Sequence, residues 1–71
     1  MPTFKVVPCN FTYEGAPVRG TEIVVEAATK LDAAQIVRGA ALREAGKRGQ
    51  LRAEVWDAQS THRKVECFHA L

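Results

Sequence analysis

The sequence predicts a single α+β domain spanning residues 1–71, with one helix packed on one face of a four-stranded antiparallel sheet. Two pairs of segments alternate apolar and polar residues, as strands with one buried face do, and they flank one segment of helical periodicity. Apolar residues make up 46% and charged residues 25% of the chain, which is typical of a globular domain. The predicted element order is therefore ββαββ.

The first predicted hairpin precedes the helix. Its first strand covers about residues 3–12, and the face on which apolar residues fall switches between Val6 and Cys9. Such a switch predicts a bent edge strand with a β-bulge at Pro8, because proline is tolerated in sheets mainly at bulges and edges. A turn rich in glycine and proline leads to the second strand, TEIVVEA.

The helix is predicted over about residues 30–45. Thr29 is expected to cap its first turn, and Gly46 to follow its end. The helical period places small and aliphatic residues on one arc, which would let the helix lie close to the sheet. That arc consists of Ala33, Ala34, Ile36, Val37, Ala40, Ala41 and Ala45.

The second predicted hairpin consists of QLRAEVWD and RKVECFHAL. Strand alternation assigns Leu51, Ala53 and Val55 to the face that the helix covers. The only tryptophan, Trp56, then falls on the opposite face, and alternation in the last strand adds Phe68 to it. We call the sheet face that the helix does not cover the outer face.

The outer face is the first candidate site. Its predicted residues are Trp56, Phe68, Arg52, Lys64, Glu54 and Val24. Aromatic and basic side chains on a bare sheet are typical of single-stranded nucleic-acid platforms, and exposed aromatic anchors equally suit a protein partner or a second copy of the chain. Four carboxylates on the same face disfavour a phosphate backbone: Glu22, Glu26, Glu54 and Glu66. Two alternatives involve no function: the two rings pair across strands and shield each other, or the predicted strand register is wrong by one residue.

Two smaller surfaces are further candidates. The first is a basic cluster that begins in the last turn of the predicted helix and continues beyond it. It suits either helix capping and solubility or an electropositive docking surface. Its members are Arg43, Lys47, Arg48 and Arg52. The second is a docking stripe formed by Leu31 and Leu42, which fall outside the apolar arc with Gln35 and Arg38 between them.

Catalytic and metal-binding constellations are weak. Asp57, Ser60 and His62 are close in sequence, but catalytic triads converge from separate segments, and these residue types also suit a polar turn. Cys67 and His69 share a strand face that Cys9 could approach, yet the cysteine spacing of a zinc site is missing. We therefore expect no enzyme activity and no cofactor.

The location expected from the sequence is cytoplasmic. No apolar run approaches the about 20 residues of a membrane span, and the N-terminus lacks the pattern of a secretory signal. Two cysteines without such a signal predict reduced thiols.

The segment GTEIVVEAATKLDAAQIVRGA, residues 20–41, resembles the strand-to-helix layout of some small phage-encoded anti-CRISPR inhibitors of type I surveillance complexes. The resemblance implies a non-enzymatic protein that occupies a surface of a host complex in the host cytoplasm. The expected function is therefore steric inhibition or modulation of a protein or ribonucleoprotein complex. The alternative is a small nucleic-acid-binding regulator that uses the basic and aromatic residues.

Overall fold

A computed structural model describes residues 1–61 and 63–71 as an α+β fold with one α-helix and an antiparallel sheet of six strands. No helix in this part of the chain is both long and apolar enough to cross a membrane. The elements in chain order are β1 (Thr3–Phe11), β2 (Pro17–Arg19), β3 (Ile23–Glu26), α1 (Lys30–Arg38), β4 (Leu42–Arg43), a 3₁₀ helix (Arg48–Gln50), β5 (Leu51–Asp57) and β6 (Glu66–Ala70).

The sheet is built on β1 and β5, which pair with each other at its centre. The predicted edge position of the first strand is therefore wrong, because β1 has partner strands on both sides. The strand order is β2-β1-β5-β6-β4, and β3 pairs with β1 on the same side as β2. The predicted α+β class and single helix are confirmed, whereas the four-stranded ββαββ order is not matched. Two short strands, β2 and β4, extend the sheet in segments where the sequence predicts a turn and a helix.

The predicted bulge lies opposite Pro8 and not at it. Between the pairs Val6–Ile23 and Cys9–Arg19, β1 has two residues, whereas the facing chain has three. β1 itself pairs regularly with β5 as far as Pro8. The extra residue therefore lies between β2 and β3, beside Pro8, which has no N–H to donate to the ladder there.

The helix begins as predicted but ends seven residues early. The Thr29 hydroxyl accepts a hydrogen bond from the Asp32 amide over 3.1 Å, which confirms the predicted N-cap. Gly39 adopts a left-handed conformation with φ of 67° and donates its N–H to Gln35 O over 2.8 Å, so the helix ends there. The apolar arc that predicted a longer helix continues past Gly39, but its later residues lie outside α1.

Leu42 leaves the helix axis and joins the sheet. The Gln35 side chain accepts a hydrogen bond from the Leu42 amide over 3.1 Å, and β4 then pairs Leu42 with Ala70. Leu42 is buried in the core, and Leu31 packs against the core while partly buried. The predicted docking stripe of Leu31 and Leu42 is therefore wrong, because the chain turns inward after Gly39.

The core lies between α1 and the sheet. Ala33 and Ala34 are completely buried, which confirms that small residues let the helix lie close to the strands. Ala53 and Val55 are buried as predicted, but Leu51 is only partly buried and lies outside the core cluster. The buried cluster comprises Phe4, Val6, Ala27, Ala33, Ala34, Leu42, Ala53, Val55 and Phe68.

Phe68 belongs to this core, so its predicted place on the outer face is wrong. It pairs with Ala53, which faces the helix, and its exposed fraction is 1%. A register irregularity between Leu51 and Ala53 accompanies this pairing. The parity predicted for the last strand is inverted, because Cys67 pairs with Glu54 on the outer face.

We predict that Phe68→Leu destabilises the domain by about 1–2 kcal/mol, because it removes buried ring atoms that the surrounding core cannot fully replace. Thermal unfolding should show a fall in Tm of about 4–8 °C per kcal/mol. Phe11→Leu is the matched control, since Phe11 lies partly exposed at the end of β1. Equal falls in Tm for the two variants would contradict the core position of Phe68.

Candidate functional site

Trp56 lies on the outer face as predicted, but it is not exposed. It pairs with Lys5 of β1, and its exposed fraction is 7%. The guanidinium carbon of Arg63, from the segment between β5 and β6, lies 4.0 Å from the centroid of the Trp56 ring. This is a cation–π contact, and it covers the ring where the sequence predicts an aromatic anchor for a partner.

Glu54 forms the second cluster on the outer face. Its Oε1 accepts a hydrogen bond from Arg19 Nε over 2.6 Å, and the Cys9 thiol donates to the same oxygen over 3.5 Å. The hydrogen bond from Arg19 holds the pKa of Glu54 below its usual value. Glu54 is therefore an ionised partner within the protein and not a free surface carboxylate.

The two thiols near Glu54 are poor nucleophiles. Burial, with the Glu54 carboxylate adding to it, raises the pKa of Cys9 from its ordinary value of 9.0 to about 11. Cys67 as a whole residue is exposed, but partial desolvation of its thiol raises the pKa, and the Glu54 carboxylate adds to this effect. Since the thiolate is the reactive form, both side chains stay protonated near neutral pH.

Asp57, a member of the weak catalytic candidate, belongs to the turn after β5. Asp57 Oδ1 accepts a hydrogen bond from the Gln59 amide over 2.8 Å, which stabilises the turn after β5. The third member of that candidate set, His62, lies outside the described residues. Among the described residues, no three His, Cys, Asp or Glu side chains lie together in a group that could hold a metal ion.

The strongest candidate site is the basic segment, which we define as residues 38–52. It contains five cationic residues and one carboxylate, a formal charge of +4 in a chain whose total is +2. All four cations of the predicted basic cluster belong to it. Within the described residues the ion pairs involve Lys5, Arg19 and Lys30, so the charge of the basic segment is not neutralised by ion pairs.

Hydrogen bonds hold the basic cluster together. Gln50 Oε1 accepts from Arg43 Nη2 over 3.2 Å and from the Lys47 amide over 3.0 Å. Arg52 Nη1 donates to Gly49 O over 3.1 Å and to Leu51 O over 3.0 Å. The structure thus places Arg43 on a strand, Arg48 in a 3₁₀ helix and Arg52 at the start of β5. The strand position of Arg52 is as predicted, whereas the sequence places Arg43 in the last turns of the helix.

His69 anchors the basic segment to the sheet. Its Nδ1 lies 3.1 Å from Glu44 O, close enough to donate a hydrogen bond, and β4 pairs Arg43 with His69. A Cβ at Gly46 would lie 2.6 Å from His69 Cβ, so the backbone passes directly against this side chain. In the sequence His69 is a weak metal candidate. The position of Gly46 is the one sequence feature that indicates its contact with the basic segment.

The remaining predicted site residues lie apart from the basic segment. Lys64 is exposed in the segment between β5 and β6, and Phe68 is buried on the other face of the sheet from Trp56. The outer face therefore lacks the two-ring surface predicted for it. Neither Trp56 nor Phe68 presents an exposed ring to a partner.

We predict that Arg63→Ala exposes Trp56, because the guanidinium group covers its ring. The emission of this single tryptophan should shift to longer wavelength, and quenching by acrylamide should increase. Lys64→Ala removes a neighbouring exposed cation and should change neither property. Unchanged quenching in Arg63→Ala would show that other groups shield the ring.

We predict that the Cys9 thiol of a Cys67→Ser variant titrates near pH 11, measured by the ultraviolet absorbance of the thiolate with circular dichroism as a check on folding. A raised pKa means that the protonated thiol stabilises the fold. This contribution is complete below pH 9.0 and is lost as the pH rises towards 11. Glu54→Gln should lower the midpoint, whereas a midpoint at 9.0 in the Cys67→Ser variant would contradict burial of the thiol.

Comparison of the chain with protein-family models, with curated proteins and with solved structures finds no match in any of the three. The function proposed below is therefore drawn from the charges and contacts of the described residues, together with the layout resemblance of residues 20–41.

Proposed function

We propose that this chain is a non-enzymatic binding protein that docks its basic segment on the phosphate backbone of a nucleic acid, either free or within a ribonucleoprotein complex. The observation that carries the proposal is the concentration of charge in residues 38–52, whose formal charge of +4 leaves −2 for the rest of the chain. Docking there would act sterically, by covering backbone that another factor needs.

The shape of the basic segment supports contact with a polyanion. Arg43, Lys47 and Arg48 are exposed, and the hydrogen bonds to Gln50 hold the loop in one conformation. Arginine forks suit phosphate oxygens, and a loop that is already ordered loses little conformational entropy on binding. The acidic residues Glu26, Asp32 and Asp57 lie towards the far end of the sheet, near the start of β1 or in the first turn of α1.

Base stacking does not contribute to this proposal. Trp56 is covered by Arg63, and Phe68 is part of the core, so neither ring offers the stacking surface of a sheet-based single-strand platform. The contacts available to the basic segment are with phosphates, which carry no sequence information. We therefore expect binding with little preference for base sequence.

A type I CRISPR surveillance complex is the candidate target suggested by the layout resemblance of residues 20–41. Such a complex contains guide RNA and must admit target DNA, so a cationic protein bound to its nucleic-acid path would inhibit it sterically. The variants described below would then lose inhibition in parallel with their loss of phosphate binding.

We predict that the chain binds a short mixed-sequence duplex DNA with an affinity that falls steeply between about 50 and 200 mM salt. Four phosphate contacts give a slope of log K against log salt of about −3 to −4 for duplex DNA, and a shallower slope for single-stranded RNA of equal length. Fluorescence anisotropy of the labelled nucleic acids measures both slopes.

The control separates the basic segment from net charge. The double variant Lys47→Gln/Arg48→Gln removes two exposed cations from the segment and should reduce the size of the duplex slope by about 1.5–2. Lys64→Gln removes an exposed cation elsewhere and should leave the slope nearly unchanged. Absence of binding at low salt, or equal effects of the two variants, would refute the proposal.

A further inference from the structure

The outer edge of β3 has no partner strand in the part of the chain that the structure describes, since β3 pairs only with β1. The Ala27 amide donates to Pro2 O over 3.2 Å, so the N–H of Ala27 points towards β1. In an antiparallel ladder these groups alternate in direction. The N–H and C=O groups of Val24 and Glu26 therefore point away from the sheet, where another strand can accept and donate hydrogen bonds.

The two side chains at the start of β3 are apolar and exposed. Val24 on the outer face is 59% exposed, and Ile23 on the helix side is 42% exposed. Native sheets commonly protect such an edge with lysines, prolines or a bulge, and here the bulge between β2 and β3 limits the open edge to about the length of β3. A short stretch of strand thus remains available for pairing.

An open groove of about 420 Å³ lies at the C-terminal end of this edge, between the end of β3 and α1. Its apolar lining consists of Met1, Ala27, Ala28 and Ile36, and its carboxylates are Glu26 and Asp32. No lysine, arginine or histidine is among the lining residues. An occupant that fits would place apolar side chains towards the groove on the helix side of the sheet. Its cationic side chains would lie on the outer face, where strand alternation places Glu26 beside Val24.

A second copy of the chain fits this edge poorly. Antiparallel self-pairing centred on Val24 would set Glu22 of one copy directly opposite Glu26 of the other, and like charges in that position are destabilising. The register centred one residue later sets Val24 opposite Glu26, which loses the apolar pair.

We propose that β3 accepts an extended segment of a partner protein, with alternating apolar and basic residues, as an additional strand. Main-chain hydrogen bonds to Val24 and Glu26 hold the segment. Its apolar side chains lie towards Ile23 and the groove, and its cations lie beside the Glu26 carboxylate on the outer face. This surface is separate from the basic segment, so its test uses a different probe and can fail or succeed independently of phosphate binding.

The test uses a synthetic peptide of alternating isoleucine and lysine, with amide hydrogen exchange of the isotope-labelled protein followed by NMR. In the free protein the Val24 and Glu26 amides should exchange rapidly, whereas Ile23 and Val25, which face β1, should be protected. The peptide should slow exchange at Val24 and Glu26 and leave the other two unchanged. A peptide in which glutamate replaces lysine should have no effect at the same concentration.

A matched pair of charge reversals tests the role of the Glu26 carboxylate. Glu26→Lys should weaken the peptide by about 3- to 10-fold, measured by fluorescence anisotropy, because it replaces attraction with repulsion at an exposed site. Glu14→Lys makes the same change in net charge in the exposed turn between β1 and β2, and should leave the affinity within about 1.5-fold of the original.

Three outcomes would overturn the proposal. The first is failure of the lysine peptide to protect the Val24 and Glu26 amides. The second is equal weakening by Glu26→Lys and Glu14→Lys, which would show attraction to net charge alone. The third is protection of these amides in the free protein that grows with protein concentration, which would assign the edge to a second copy of the chain.

Discussion

The contact between two alanines of α1 and the centre of the sheet is the constraint on which the rest of the structure depends. Ala33 and Ala34 are completely buried, so the helix lies directly over the strands and the core is one layer of side chains deep. A helix of nine residues covers only one face of the sheet. A large side chain on the other face, such as that of Trp56, is therefore buried only if another group covers it.

The outer face shows how a small domain protects a second face without a second layer of secondary structure. The Arg63 guanidinium lies over Trp56. The Glu54 carboxylate accepts hydrogen bonds from Arg19 and from the Cys9 thiol. Long cationic side chains have apolar stems and charged ends, so they can cover a ring or a strand while their charge stays in water. This arrangement removes the aromatic surface that would otherwise be the natural site for a partner.

With the outer face covered, the surfaces left for function lie at the ends and edges of the sheet. The basic segment is held against β6 through His69. The apolar edge of β3 lies at the opposite edge of the sheet, with carboxylates beside it. The two surfaces have opposite charge and would attract different kinds of molecule. A chain with both proposed activities could link a phosphate backbone to a basic protein segment.

Much of the local structure follows from the sequence. The Thr29 cap, the single helix over alanines, and the opposite faces of Val55 and Trp56 are all consequences of periodicity and side-chain chemistry within a few residues. The cluster of cations after the helix is equally local. Each of these predictions concerns residues close in the chain, where spacing alone decides which side chains lie together.

Tertiary structure decided the features that depend on pairing between distant segments. The register of β6 against β5 places Phe68 in the core, and a shift by one residue would have turned it outward. Gly39 ends the helix, and the chain after it pairs Leu42 with Ala70 in the sheet and forms no further helical turn. The cover over Trp56 comes from Arg63, seven residues away across a turn. The sequence by itself therefore determined the fold class, the start of the helix and the charge of the basic segment. Long-range pairing decided the number of strands and which side chains remain at the surface.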